Sequence, residues 1–120
     1  MDVERELVKH LMADEKLKRI IGHRLFPLAI PQHEDVPAIV YQRISTPRTL
    51  GLTEEGASNP RFQFSAYAED YAEVRQMAMY LKESLDYFRG KIAVLQADAR
   101  ENFEHETGRY RADVDFFAMY

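Results

Sequence analysis

The sequence predicts an α+β domain, a four-stranded antiparallel sheet with helices packed on one face, in the order helix-strand-strand-helix-strand-strand. Three observations predict it. Residues 70–89 carry Val74, Met77, Ala78, Leu81, Leu85 and Phe88 at intervals of three and four, which is one stripe of an α-helix. Arg61–Ala68 alternates, with Phe62, Phe64 and Ala66 facing one way and Arg61, Gln63, Ser65 and Tyr67 the other, so it reads as a strand with one buried face. Tyr110, Ala112, Val114 and Phe116 alternate in the same manner with Arg109, Arg111, Asp113 and Asp115, just after a Thr107-Gly108 pair placed where a tight hairpin turn would join two strands. Apolar faces of both kinds have to be covered, and laying the helix on the sheet covers both.

The helical stripe is the organising element. Each of its large side chains contributes about 1.5–3 kcal/mol when fully covered, enough for one face to offset much of the helix's ordering cost. Its other side, with Glu73, Arg75, Gln76, Lys82, Glu83 and Asp86, is suited to water. A chain of 120 residues with 46% hydrophobic side chains and a mean hydropathy of -0.45 has room for one modest core and does not have the composition of a disordered chain. The net charge of -4 provides no broad basic field for a phosphate backbone, so nucleic acid is not an expected direct ligand. With no cysteine, disulfides and thiolate metal sites are excluded and packing has to hold the fold. No window has the length and apolar character of a signal peptide or membrane span, so synthesis and assembly in a cytoplasm are expected.

Taken in order, Asp2 is placed to cap a first helix whose apolar positions are Val3, Leu7, Val8, Leu11 and Met12. Asp14 is placed to cap a short continuation carrying Leu17, Ile20 and Ile21, and Gly22 to stop it. Prolines at 27, 31 and 37 then make residues 23–37 an extended connector, with room for a short strand over residues 24–26. Residues 38–45 are β-branched and aromatic, hence the first strand of the sheet. Residues 46–60 are polar and interrupted by Gly51 and Gly56, and a loop of that length is commonly functional. After the strand 61–68 and the long helix, Gly90 breaks the pattern, residues 91–100 are ambiguous, and a third strand is expected near residues 96–106, followed by the fourth.

No constellation of residues stands out as catalytic. Glu104, Glu106, Asp113 and Asp115 on the last hairpin are of the type that holds Mg²⁺ or Ca²⁺, but an exposed strand face balanced by Arg109 and Arg111 explains them as well and is preferred. His10, His23, His33 and His105 follow no ligand spacing and read as surface residues. Gly51 and Gly56 lack the Lys-Ser/Thr ending of a phosphate loop. Arg43, Arg48 and Arg61 near Tyr41 and Tyr67 could form a single-stranded nucleic-acid platform, but the acidic total favours cross-strand pairs or a protein contact. More informative are apolar residues out of place: Met79, Tyr80 and Tyr87 off the core stripe, and Phe117, Met119 and Tyr120 on the polar side of the last strand or past its end. They fit either a widened core stripe or a subunit interface, where Met and aromatic residues are enriched; the interface is preferred, joined by Arg48, Leu50 and Leu52 of the long loop.

The segments together resemble the tail-completion, or tail-terminator, proteins of long-tailed bacteriophages and prophages. Gly22-His23-Arg24-Leu25-Phe26-Pro27 is similar to that family's G-x-R-hydrophobic-aromatic-P turn, and Pro31-Gln32 followed by Val36-Pro37-Ala38-Ile39-Val40-Tyr41 resembles its lead-in to the first strand. Arg61–Ala68 running into the Tyr71 helix looks like its second strand and long helix, and Thr107-Gly108-Arg109-Tyr110-Arg111 with Asp115-Phe116 like its closing hairpin. The resemblance implies a structural protein that forms a ring, usually a homo-hexamer, which caps the finished tail tube protein, stops its polymerisation and meets the head-tail connector protein. It implies no enzyme, catalytic residue, cofactor or membrane. It places the protein in the virion tail, and in the host cytoplasm during assembly.

Two expectations follow from this reading. An acidic ring would let DNA pass without specific binding, and the 46–60 loop would order against a neighbouring subunit. The competing readings are a small bacterial domain that captures a partner at its sheet edge and a metal-dependent hydrolase centred on the last hairpin.

Overall fold

The computed structural model describes residues 3–44, 61–86, 88 and 93–119, the side chains of 93–98 and 119 excepted. The chain runs through α1 (Val3–Met12), α2 (Glu15–Ile21), β1 (Leu25–Pro27), β2 (Ala38–Ile44), β3 (Arg61–Ala68), α3 (Tyr71–Asp86), β4 (Ala93–Glu104) and β5 (Arg109–Met119). The α+β class is as expected, but the sheet is not four-stranded and antiparallel. It has five strands in the order β1-β2-β3-β5-β4, and β1 lies parallel to β2 at one edge. The short strand allowed over residues 24–26 forms one residue later, and its parallel pairing with β2 is what three residues are too few to reveal. Pro27 is tolerated because an edge strand leaves one side of its backbone unpaired, and Ile39 N–H to Arg24 O and Leu28 N–H to Tyr41 O, both 2.9 Å, tie the segment to β2. The Asp2 cap, Ser45 as a last strand residue, the 46–60 loop and the break at Gly90 lie outside the described residues.

α2 follows its sequence signals closely. The Asp14 side chain accepts from the N–H groups of Lys16 and Leu17, satisfying two of the donors a helix start leaves open. Gly22 ends the helix at φ 60, ψ -116, a conformation that requires the missing Cβ. The core lies between the three helices and one sheet face: Leu7, Leu11, Leu17 and Ile21 from α1 and α2, Val74, Met77, Leu81 and Leu85 from α3, and Phe62, Phe64, Val114 and Phe116 from β3 and β5. Phe64 and Phe116 meet edge-on with centroids 6.1 Å apart. Phe88 is half-buried against this cluster, beyond the end of α3.

β4 begins earlier than residue 96 and shifts register between Gln96 and Asp98, which breaks a regular alternation at that point. The β4-β5 connection spans residues 105–108, longer than a two-residue turn, with Gly108 at φ 70 and its N–H donating to Glu104 O. β3 also differs from expectation. Its polar face is buried too, at Gln63 and Ser65, because β2 and β5 flank it and long side chains from both neighbours cross it.

Candidate functional site

The sheet face away from the core carries a ladder of alternating charges built by the strand register. Gln63 opposes Asp115 and Ser65 opposes Asp113 across β3 and β5, and Arg100 opposes Asp113 across β4 and β5. Asp113 and Asp115 are only 3% and 1% exposed. They are therefore not the solvated strand face expected from the sequence, because arginines from both neighbouring strands converge on them. Arg61 Nη2 donates to Asp115 Oδ2 at 2.6 Å, Ser65 Oγ to Asp113 Oδ1 at 2.6 Å, and Arg111 Nε to the same Oδ1 at 2.7 Å. Arg100 bridges the two carboxylates at 3.7 Å each, and Arg111 also reaches Glu104 at 3.6 Å. Arg109 turns instead to Asp35, at 3.5 Å. Burial lowers the Arg111 pKa, but its hydrogen bond and charge pairing with Asp113, aided by Tyr67 and Glu104, more than compensate and hold it above the ordinary arginine value. Tyr67, under the Arg111 guanidinium at 5.7 Å, is raised above the usual phenol range chiefly by burial. Buried carboxylates matched by guanidinium donors make a scaffold, and among the described residues no three His, Asp or Glu side chains converge as metal ligands would.

The residues expected at an interface are dispersed. Met79 stands 53% exposed on the outer side of α3. Tyr80 is half-buried beside it, accepting from Gln76 Nε2 at 2.8 Å with the Lys16 ammonium 5.5 Å over its ring. Phe117 is half-buried under the Arg61 guanidinium at 5.6 Å. Met119 pairs through its backbone with Ala93. Arg48, Leu50, Leu52, Tyr87 and Tyr120 lie outside the described residues. Beside Tyr80 and Lys16 an open cleft of about 380 Å³ separates the α1-α2 corner from α3. There His10 is half-buried and not a free surface residue: its Nε2 sits 2.7 Å from Ser84 O and its ring lies edge-on to Phe88 at 4.8 Å. That contact engages Nε2 through a backbone carbonyl.

Two exposed apolar features escaped the sequence reading. At the β4-β5 end, Phe103 and Tyr71, 41% and 44% exposed, flank a half-buried Tyr110. The ring centroids lie 4.8 Å (Phe103–Tyr110) and 5.5 Å (Tyr71–Tyr110) apart, with His105 edge-on to Phe103 at 5.0 Å. At the opposite sheet edge Leu28 is 75% exposed with φ 69, a left-handed conformation rare for a bulky side chain. The Phe103–Tyr110 contact was within reach of the sequence, since both residues fall on the core-side phase of their strands. The Leu28 conformation had no sequence signal.

Over residues 5–120 the chain matches the family described as Tail completion protein gp17. No curated protein matches it. Its fold is similar to that of a chain in the virion of a native gene transfer agent (GTA) particle, with a TM-score of 0.71 at 16% sequence identity, covering 98% of this chain and 92% of that one.

Proposed function

Because this chain belongs to the tail completion protein gp17 family and is thus a structural protein of a phage-type tail, we propose that it forms a ring that ends the tail tube. In this reading copies of the chain, six in number, close on themselves at the tube terminus, block further addition of tube subunits and present their other side to the head-tail connector. The family match across nearly the whole chain carries the proposal. The physical chemistry supports it: β1 and β4 stand at the two edges of the sheet among the described residues, and apolar side chains are exposed on both flanks. The net charge of -4 suits a conduit through which DNA slides unheld. The virion tail is the proposed location, with assembly in the host cytoplasm. Among the described residues no helix is long and apolar enough to cross a membrane.

The test is reconstitution. Tube protein polymerised with this chain should give tubes of arrested length with a ring at one end in electron micrographs, and the capped end should bind connector protein. Tubes that lengthen equally with and without it would refute the proposal. The residues expected at the interface, Met79, Tyr80 and Phe117 among them, are proposed to contribute to the ring or its neighbours, and the 46–60 loop is proposed to order on assembly.

A further inference from the structure

The cleft between the α1-α2 corner and α3 already holds a cation of its own. The Lys16 ammonium lies 3.7 Å from Glu83 Oε1 and 5.5 Å over the Tyr80 ring, so one carboxylate and one aromatic face receive it together. Gln76 Nε2 donates to the Tyr80 hydroxyl at 2.8 Å and fixes the ring. Yet the Lys16 and Glu83 side chains are 64% and 49% exposed, so water and salt screen their attraction and the ammonium is displaced at little cost. The cleft these residues line is open and has about 380 Å³, room for a second long side chain.

The other ionisable groups on its walls are engaged or point the same way. Asp14 accepts from the N–H groups of Lys16 and Leu17, so the start of α2 is already covered by a carboxylate, and His10 is engaged with Ser84 O at 2.7 Å. Glu15 stands exposed at the corner, so Asp14, Glu15 and Glu83 together face the single Lys16 ammonium. α3 ends beside the cleft with no basic residue in its last turn, and its terminal carbonyls add to the negative field. Ser84, on the α3 wall, keeps a buried hydroxyl with no hydrogen-bond partner, an acceptor not yet used. A guanidinium suits this set better than the resident ammonium, because it is planar, stacks on a ring and donates from five N–H groups. Resting on the reading above only for the partner being a tail protein, we propose that the cleft takes an arginine side chain of that partner, which stacks on Tyr80, pairs with Glu83 and displaces Lys16.

The isotope-labelled free chain is titrated with N-acetyl-arginine amide and with its uncharged citrulline counterpart, followed by nuclear magnetic resonance. The arginine compound should move the backbone signals of Lys16, Tyr80, Glu83 and Ser84, and the citrulline compound should leave them in place. Glu83→Gln should weaken arginine binding about fivefold or more, through loss of a charge-assisted contact. Lys16→Ala empties the receiving pair and should tighten binding about two- to fivefold, the size of an exposed ion pair. A lysine with a merely structural role would give no such gain. Equal responses to arginine and citrulline, or a Lys16→Ala chain that binds no more tightly, would overturn the assignment of the cleft. In reconstitution with tube and connector proteins, the Glu83→Gln chain should need about fivefold more protein for the same capping and joining. Capping and joining by that variant at the level of the unaltered chain would overturn the docking role and leave the ring reading standing. Tubes that ignore the unaltered chain while its cleft still selects arginine over citrulline would remove the ring reading alone.

Discussion

Arg61 and Asp115 stand on adjacent strands one diagonal apart, Arg61 opposite Phe117 and Asp115 opposite Gln63, and close at 2.6 Å over the sheet face that the helices leave uncovered. The carboxylate is 1% exposed and the arginine side chain 32%, so the pair is buried at one end and open to water at the other. Removing the buried member leaves Arg61 and Arg100 facing each other without their shared anion. Asp115→Ala should therefore lower stability by about 3 kcal/mol, the low end of the range for breaking a buried pair. Arg61→Ala should lose less, because Arg100 still faces the carboxylate. Urea denaturation of both variants checks the order, and an Arg61→Ala loss equal to the other would contradict it.

α3 offers a comparison within one element. Leu81 is fully buried against the sheet and Met79, two residues earlier, is 53% exposed. Leu81→Ala should cost about 2–5 kcal/mol through lost transfer energy and the cavity left behind. Met79→Ala should change the free chain by no more than about 0.5 kcal/mol. Any larger effect of Met79→Ala should appear only in assembly, measured as tube capping.

The two ends of α2 can be tested separately. Asp14→Ala removes the acceptor for two backbone N–H groups and should cost about 1 kcal/mol. Gly22→Ala meets no neighbouring atom within 4 Å, so its cost is purely conformational, about 1–3 kcal/mol for φ 60 with ψ -116. Thermal melts of both should show the glycine change at least as harmful as the loss of the cap.

Alkaline stability should depend on Tyr67. Burial holds its pKa above the ordinary value of 10.0, so the folded state keeps the phenol proton more tightly than the unfolded chain does. That contribution is fully present below pH about 10 and is lost as pH rises through the raised folded-state value. Melting temperatures taken from neutral pH upward should fall above pH about 10, and Tyr67→Phe should make that fall shallower. Identical alkaline slopes for the two proteins would contradict the assignment.

Local pattern was enough for much of this molecule. The spacing of Val74, Met77, Ala78, Leu81 and Leu85 defines the buried stripe of α3, Asp14 and Gly22 delimit α2, and alternation places Phe62, Phe64, Val114 and Phe116 on the core face. Each of these signals acts within a few residues, where periodicity and capping chemistry operate. Met79, off the stripe of α3, is exposed because a helix turns to solvent what falls off its stripe.

The remaining features depend on partners distant in the chain. Whether Asp113 and Asp115 are solvated or buried depends on Arg61, 54 positions from Asp115, and on Ser65, 48 positions from Asp113. Tyr71 reaches Glu101 across 30 positions, and β1 joins the sheet as a fifth strand whose parallel pairing its own three residues do not announce. Which side chains require cover is legible before folding, because it follows from their chemistry and period. Which charges meet across the sheet, and where the strained Leu28 projects, are set by strand register and chain reversal, and these exist only once the whole sheet has closed.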